Sequence, residues 1–255
     1  MTHTETDTAA VLRYIHQLEL PPPNLAIRSL GPFPRRDTET DEAAYVDKGA
    51  LISFVSGLSQ THKDDVLNST LLASLAANKK ANPELDPRAW YTEYRTVLAK
   101  LYWNVQTVTW DRVKSTAVSF DVSTVIFELI EAMLGPGPVL ALVKATIEKC
   151  KQLGEGDGRV KLFDQNAHEA GKGNFQIACA QEDDADVLLN FGAFYFNTKS
   201  RVTQVLWAKF ASSETEFFNG AQTMVLNENG YARVREAVID KLGQNAEDFI
   251  ADLEI

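Results

Sequence analysis

The sequence has few cysteines, a deficit of basic residues and no long apolar run. It contains two cysteines, and its 25 lysines and arginines against 35 aspartates and glutamates give a formal net charge of −10. Binding to nucleic acid or to an anionic lipid surface by electrostatic attraction needs a basic surface. The charge balance therefore argues against nucleic acid as the main partner. A local basic patch and a hydrophobic mode of membrane binding stay open.

Signals for export and for membrane spanning are also missing. The N-terminal segment has no basic start followed by an apolar run, so we identify no signal peptide and expect synthesis in the cytoplasm, with release from the cell left open. No segment provides the roughly 18 uninterrupted apolar residues of a spanning helix. Cys150 and Cys179 lie in an apolar helix and a strand-like run, which favours two buried free thiols over a disulfide.

No catalytic or metal-binding motif is present. The four histidines, His3, His16, His62 and His168, have no partners at the spacing of a metal site or a catalytic triad. Nucleophile-elbow, zinc-protease, phosphate-loop and paired-cysteine motifs are all missing. We therefore assign no catalytic, cofactor-binding or metal-binding residue and identify no small-molecule substrate. We predict that the protein is not an enzyme and that it carries neither a metal nor a nucleotide.

The chain divides by composition into an N-terminal arm and one larger domain. Residues 1–46 hold a short helix over 8–18, which Pro21-Pro22-Pro23 ends, and then a polar stretch without apolar periodicity. Residues 47–255 are predicted to form a single α+β domain. Its first part is helical: Asp47 is expected to cap a helix over 51–58, a second helix covers 62–80, and Asp86-Pro87 begins a third.

Strand-like patterns follow in most of the remaining chain. Residues 105–110 and 113–120 alternate with a period of two, and five further apolar runs are separated by polar turns. Those five runs are VKLF (160–163), FQIACA (175–180), VLLNFGAFYF (187–196), RVTQVLWAKF (201–210) and TEFFNGAQTMVL (215–226). A final helix over 231–242 and a short apolar segment complete the chain.

The run over 187–196 determines the predicted fold class. It is apolar on both faces, and such a strand must be covered on both sides. The short turns between the runs favour antiparallel hairpins. The sequence therefore predicts an antiparallel β-sheet of five or more strands with helices on both faces, an α/β/α arrangement of layers.

A strongly apolar helical hairpin lies over residues 123–150. Two helical stretches, the first expected to be capped by Ser123, are joined by Gly-Pro-Gly-Pro at 135–138. Such helices either cover an equally apolar sheet or leave it to enter a membrane. If they enter a membrane, the predicted lipid contacts are Ile126, Phe127, Ile130, Leu134, Leu140 and Val143.

The order of elements from residue 60 to 226 resembles the Cyt family of cytolytic δ-endotoxins. The parallel is closest over 123–226, where FQIACAQ, FGAFYFNTKSRVTQVLWAKF and SSETEFFNGAQTMVLN occupy the places of that family's long strands. The resemblance implies helical hairpins around an antiparallel sheet, and a water-soluble form whose helices swing away so that the protein binds membranes and oligomerises. The proline-rich arm and the helix after Asn227 depart from the pattern.

Two functions of different classes follow from these features. The favoured one is a non-enzymatic protein of toxin or defence type that binds and perturbs lipid membranes, with a homo-oligomer as its expected assembly. The alternative is a structural or interaction protein that self-associates through a sheet edge or the N-terminal arm, without membrane activity. An enzyme with a site built from scattered carboxylates is the least favoured reading.

Overall fold

The computed structural model describes residues 3–105, 108–183 and 186–255. The helices are α1 (His3–Gln17), α2 (Leu25–Arg28), α3 (Gln60–Lys80), α4 (Pro87–Lys100), α5 (Val122–Leu134), α6 (Pro138–Leu153), α7 (Gly158–Ala167), α8 (Glu228–Tyr231), α9 (Arg235–Leu242) and α10 (Asn245–Phe249). The strands are β1 (Ala43–Asp47), β2 (Ala50–Phe54), β3 (Trp103–Asn104), β4 (Asp111–Arg112), β5 (Ser119–Asp121), β6 (His168–Glu169), β7 (Lys172–Asp183), β8 (Asp186–Thr198), β9 (Lys209–Ala211), β10 (Thr215–Leu226) and β11 (Ile250–Asp252).

One large mixed sheet organises the described part of the chain. Its order is β11-β1-β2-β7-β8-β10-β3, with β4 also beside β10 and β6 beside β7, while β5 and β9 form a separate pair. The predicted α+β class with a sheet of five or more strands is confirmed. The sheet is not wholly antiparallel, however, because β2 pairs with β7 in parallel. Helices α3 to α7 separate these two strands in the chain and provide the long connection that a parallel pair needs.

The centre of the sheet is the antiparallel meander β7–β8–β10. The predicted strands over 175–180, 187–196 and 215–226 are confirmed, and β8 pairs along nearly its whole length with both neighbours. Most residues of 187–196 are buried, as its apolar character requires. Phe194 is fully buried, and its ring stacks on that of Phe175 at 5.0 Å. Phe217 of β10 packs against both rings, so aromatic contacts join the three strands.

The predicted second and third helices are confirmed as α3 and α4. Helix α4 begins as expected, because the side chain of Asp86 accepts a hydrogen bond from the backbone N–H of Ala89 at 3.1 Å and Pro87 is the first helical residue. The hairpin is also helical, as α5 and α6. Helix α5 begins one residue before Ser123, so Ser123 is not its cap.

The helix predicted over 51–58 is wrong. Ala43–Asp47 and Ala50–Phe54 instead form a β-hairpin, in which Lys48 and Gly49 are the turn. Every residue of both strands is buried, so the segment has no polar face to reveal a period of two. A short, continuous apolar run does not distinguish a buried strand from a buried helix.

Two predicted strands are also wrong in whole or in part. Residues 160–163 lie in α7, whose N-cap Asp157 accepts a hydrogen bond from the backbone N–H of Arg159 at 2.8 Å. Residues 201–210 contain a 3-10 turn, Val205–Trp207, and only the start of β9. The tertiary packing of these apolar side chains decides between helix and strand, and local composition does not.

The remaining differences concern the edges of the sheet. The predicted strand over 105–110 falls partly on residues 106 and 107, which lie outside the described residues, and only Ser119–Asp121 of 113–120 is a strand. The predicted C-terminal helix is divided into α8 and α9. The segment after it contains β11, an unpredicted strand that pairs with β1.

Charged side chains tie the N-terminal arm to the sheet and to helix α3. Arg36 donates to both carboxylate oxygens of Asp252 at 2.7 and 3.1 Å. The buried Lys63 ammonium donates to Thr38 Oγ1 and to the carbonyl oxygens of Glu39 and Asp41. The proposed boundary between residues 46 and 47 falls within β1. The division into an arm and a domain stays a prediction.

Asp47 is a buried carboxyl at the end of β1. Its Oδ2 accepts a hydrogen bond from Thr70 Oγ1 at 2.6 Å, whereas Oδ1 is buried with no hydrogen-bond partner among the described residues. Burial raises the pKa of Asp47 to about 7, against the opposing effects of Thr70 and Lys48. The proton therefore binds more tightly in the folded state, and the stabilisation it provides is lost as the pH rises towards 7.

Replacing Phe194 with alanine is expected to lower the free energy of unfolding by about 3–5 kcal/mol, because it removes a fully buried aromatic ring from the centre of the sheet. Urea unfolding followed by circular dichroism measures this change. Lys209→Ala, at an exposed position of β9, is the matched control and should change the stability by less than about 0.5 kcal/mol. A loss below about 1 kcal/mol for F194A would contradict the central position of this ring.

Asp47→Asn is expected to flatten the dependence of stability on pH. Between pH 5 and pH 8 the wild-type protein should lose about 2 kcal/mol more of its free energy of unfolding than the variant, because only the wild type must ionise a buried carboxyl. Urea unfolding at both pH values measures the difference. Asp240→Asn, an exposed carboxyl of α9, should keep the wild-type slope, and parallel slopes for wild type and D47N would refute the assignment.

Candidate functional site: the α5–α6 hairpin

The turn between α5 and α6 is built from residues that end one helix and begin the next. Gly135 has a φ of 70°, in the left-handed region that glycine adopts without steric cost, and it ends α5. Pro138 is the first residue of α6, where its missing N–H breaks no helical hydrogen bond. The Gly-Pro-Gly-Pro sequence therefore gives a sharp helical hairpin.

Four of the six predicted lipid-contact residues lie in the core. Ile126, Ile130, Leu140 and Val143 are all buried. Helix α5 approaches β8 closely at Gly192, where an added Cβ would lie 3.1 Å from Ile130 Cδ1. These residues cover the sheet in the described state, and contact with lipid would require the hairpin to move.

The other two predicted residues, Phe127 and Leu134, are half-buried. The ammonium of Lys144 lies 5.6 Å from the centroid of the Phe127 ring and 4.0 Å from Glu131 Oε2, so it bridges the two helices. The structure thus divides the six residues between a buried face and the margin of the hairpin. Their role in lipid contact stays a prediction.

The tip of the hairpin is uncharged and partly exposed. Residues 132–143 contain no acidic or basic side chain. Met133, Leu134 and Val139 are half-buried, and 136–138 are exposed. The nearest charges in the chain are Glu131 and Lys144, which pair with each other at the base of this tip. The tip is therefore a partly exposed apolar surface without a charged side chain of its own.

Hydrogen bonds hold the hairpin to the rest of the fold away from its tip. Thr146 Oγ1 and Ser53 Oγ of β2 are 2.8 Å apart and buried, and Lys149 Nζ donates to the carbonyl oxygen of Glu254 at 2.9 Å. At the other end, the N–H of Val122 donates to the carbonyl oxygen of Ala208. No sequence pattern indicated the Ser53–Thr146 pair, because it joins residues that only the fold brings together.

No helix of the described residues is long and apolar enough to cross a bilayer. At about 1.5 Å per residue, α5 and α6 are roughly 20 and 24 Å long, shorter than the roughly 30 Å hydrocarbon core.

Reactive and metal-binding groups are not gathered at the hairpin. Cys150 on α6 and Cys179 on β7 are buried free thiols, and burial raises the pKa of each to about 12, which keeps them protonated and unreactive. Within the described residues, no group of three or more His, Cys, Asp or Glu side chains is placed to hold a metal ion. The expected absence of a bound metal stays a prediction.

Comparison with known proteins gives structural similarities at low sequence identity. No protein-family model and no curated protein matches the chain. A solved δ-endotoxin aligns over 82% of this chain and 90% of its own, with a TM-score of 0.44 and 10% identity. The activated Cyt2Ba monomer from Bacillus thuringiensis subsp. israelensis covers 71% of this chain and 97% of its own, with a TM-score of 0.41 and 14% identity. The Evf virulence factor covers 88% of both chains at a TM-score of 0.35 and 12% identity. The resemblance to the Cyt δ-endotoxins is thus shown as a weak structural one.

Proposed function

We propose that this protein is a non-enzymatic, toxin-type protein that binds and perturbs lipid membranes through the α5–α6 hairpin. The observation that carries the proposal is the uncharged tip at 132–143, which places half-buried apolar side chains and an exposed Gly-Pro turn at the surface. Inserting a tip into lipid removes its apolar area from water at about 25 cal/mol per Å² and requires no charged group to be buried. The partner is a lipid membrane, and the active assembly is a homo-oligomer.

The helices are proposed to form layers on opposite faces of the sheet. Successive residues of a strand point to opposite faces. On β8, Phe191 packs against Tyr94 of α4 with ring centroids 5.7 Å apart, whereas the next residue, Gly192, lies against Ile130 of α5. Helices α3 and α4 would then form one layer, and α5 to α7 the other. In this arrangement the hairpin is an outer layer, free to leave while α3 and α4 keep their place.

Full release of the hairpin exposes a large apolar area. Ile126, Ile130, Leu140 and Val143 would lose their contacts with the sheet, and the Ser53–Thr146 hydrogen bond would break. Burial of each such side chain is worth about 1.5–3 kcal/mol, so opening in water is rare. The apolar tip provides a first contact that needs no opening. Lipid then replaces the sheet as the apolar surroundings of the hairpin, while Gly135 and Gly154 serve as hinges.

A disulfide between α6 and β2 is expected to abolish membrane leakage. Ser53 Oγ and Thr146 Oγ1 are 2.8 Å apart, which places cysteines at these two positions within reach of a bond of about 2.05 Å. Cys150→Ala and Cys179→Ala are made first, because Cys179 is the register partner of Ser53 and Cys150 lies one turn from Thr146. Oxidised S53C/T146C should release no dye from liposomes, and the same protein after reduction should release it.

The reduced protein is the matched control, since it carries the same substitutions without the constraint. Equal leakage from both forms would mean that the hairpin stays in the core while the protein acts. If neither form nor the wild type binds or permeabilises liposomes of any composition, the membrane function is refuted. Concentration-dependent assembly in light scattering would then support the self-associating alternative.

Charges at the tip are expected to weaken membrane binding without affecting the fold. Leu134→Asp with Val139→Asp should lower partitioning into lipid vesicles at least about tenfold, because a charged side chain resists transfer from water into the bilayer. Both positions are half-buried, so the thermal unfolding transition should persist. Leu85→Asp, at a site that is 69% exposed and outside the hairpin, is the control. Equal vesicle partitioning of the tip variant and the control would rule out the tip as the contact.

A further inference from the structure

Two adjoining surface depressions lie beneath the proline-rich arm. They have volumes of about 550 and 420 Å³ and share four lining residues, Pro21, Lys48, Asn78 and Asn166. We refer to the two together as the arm cavity. The arm, the β1–β2 turn, the end of α3 and helix α7 form its walls. None of these elements belongs to the α5–α6 hairpin.

Lys48 is a buried cation without a hydrogen bond at its ammonium group. The residue is only 5% exposed and borders both depressions, and its Nζ has no hydrogen-bond acceptor among the described residues. The other buried lysine, Lys63, donates three hydrogen bonds from its ammonium. A largely buried lysine normally takes such partners, whereas the Lys48 ammonium is not among the fully buried unpartnered atoms and still reaches solvent at the cavity wall. Lys48 therefore has unused donor capacity at the wall of an open cavity.

The backbone at this turn holds the lysine in an unfavourable conformation. Lys48 has a φ of 54°, in the left-handed region that glycine adopts most readily. The glycine of the turn is the next residue, Gly49, where an added Cβ would lie 2.6 Å from the carbonyl oxygen of Asn166. Close packing thus requires glycine at position 49. Position 48 has the positive φ that favours glycine, yet it carries a lysine. Non-glycine residues in such conformations concentrate at functional sites.

Two amide side chains add further donors to the cavity wall. Asn78 Oδ1 accepts a hydrogen bond from Trp90 Nε1 at 2.6 Å, which leaves the Asn78 amide N–H groups available. Asn82 Oδ1 accepts from the backbone N–H groups of Glu84 and Leu85, which likewise leaves its N–H groups available. Because both amide oxygens are already used, these side chains present donors to a ligand. Together with the ammonium of Lys48 they suit an oxyanion.

The rest of the lining indicates the kind of oxyanion. Leu75, Phe249 and the three prolines of the arm give the larger depression an apolar side. Lys48 is the buried positive charge, and Glu84 lies on the wall as an opposing negative charge. Lys79 and Lys80 on the same wall are exposed to solvent, so the single buried cation, with Glu84 beside it, favours a singly charged group over a phosphate dianion. An apolar body attached to a monoanion is the chemistry of a small organic carboxylate.

We propose that the arm cavity binds a small organic carboxylate, with Lys48 as its ion-pairing partner, Asn78 and Asn82 as hydrogen-bond donors, and Leu75 and Phe249 as apolar contacts. The site goes beyond the membrane function and does not depend on it. A ligand there would contact the arm, the β1–β2 turn and the end of α3 at once.

The charge state of Lys48 gives the site a dependence on pH. Burial lowers the pKa of Lys48 to about 8, while the nearby Glu84 and Asp47 oppose this shift. Lys79 and Lys80 also line the cavity. The ammonium form predominates at pH 7 and is depleted at pH 9. Carboxylate binding should therefore weaken between these two values.

Titration calorimetry with benzoate on the full-length protein tests the site, with benzylamine and benzyl alcohol as isosteric cationic and neutral probes. Saturable binding of benzoate alone is expected. Lys48→Met should weaken it at least tenfold, because the charge-assisted hydrogen bond is lost. Lys209→Met removes an exposed lysine of β9 and should leave the affinity unchanged. Affinity of the wild type should fall between pH 7 and pH 9, and that of K48M should not.

A second variant covers the risk that K48M does not fold. Lys48→Gly relieves the left-handed φ, should fold at least as well as the wild type, and should also lose benzoate binding. Undiminished benzoate affinity in either folded variant would overturn the proposal, as would the absence of saturable binding to the wild type. Tighter binding of inorganic phosphate than of benzoate would overturn the assignment of a carboxylate. Vesicle leakage is measured separately, so failure here is distinguishable from failure of the membrane function.

Discussion

The pairing of β8 along both of its edges is the constraint on which the rest of the structure depends. Strands β7 and β10 provide hydrogen-bond partners for the backbone of β8 along nearly its whole length. The side chains of β8 alternate between the two faces of the sheet, and because they are apolar on both faces they must be removed from water on both. Phe191 and Phe194 meet different aromatic groups for this reason. The close approach of α5 at Gly192 follows from the same demand, since a side chain there would meet Ile130.

Buried charged side chains fall into two groups, those whose hydrogen bonds are satisfied within the protein and those with unused hydrogen-bonding capacity. The first group is structural, and the second contains the candidate binding residues. Asp65 receives two hydrogen bonds of 2.7 Å from Arg235, which fixes α9 against α3. At the β1–β2 turn, by contrast, Asp47 Oδ1 is buried without a hydrogen-bond partner among the described residues, and the adjacent Lys48 is largely buried beside the arm cavity. Desolvation, only partly offset by the Thr70 hydrogen bond and by neighbouring charges, lowers the charge of both groups near neutral pH. The turn therefore carries an electrostatic cost near neutral pH.

Sequence reasoning succeeded where the local signals and the tertiary demands agreed. Helix α4 carries its own cap and proline at Asp86-Pro87, and β8 is too apolar and too rich in aromatic residues for a surface position. Prediction from the sequence failed where burial is complete, as in β1 and β2, because a segment with no polar face shows no hydrophobic periodicity. The arm cavity was not predictable either, since its lining comes from residues between Pro21 and Phe249 that only the fold assembles. Asp47 was assigned as a helix cap because its burial cannot be read from its neighbours.

The pairing of β1 with β11 has a consequence for the order of folding. Tyr45 lies opposite Asp252, so this edge of the sheet joins residues from distant parts of the chain. During synthesis, β1 and β2 leave the ribosome long before the strands on either side of them. Their apolar residues stay exposed to solvent until those strands have been made. Non-local pairing of this kind slows folding and prolongs the exposure of unpaired edges. The nascent β1–β2 hairpin therefore stays unpaired at both edges until β7 and β11 have been made.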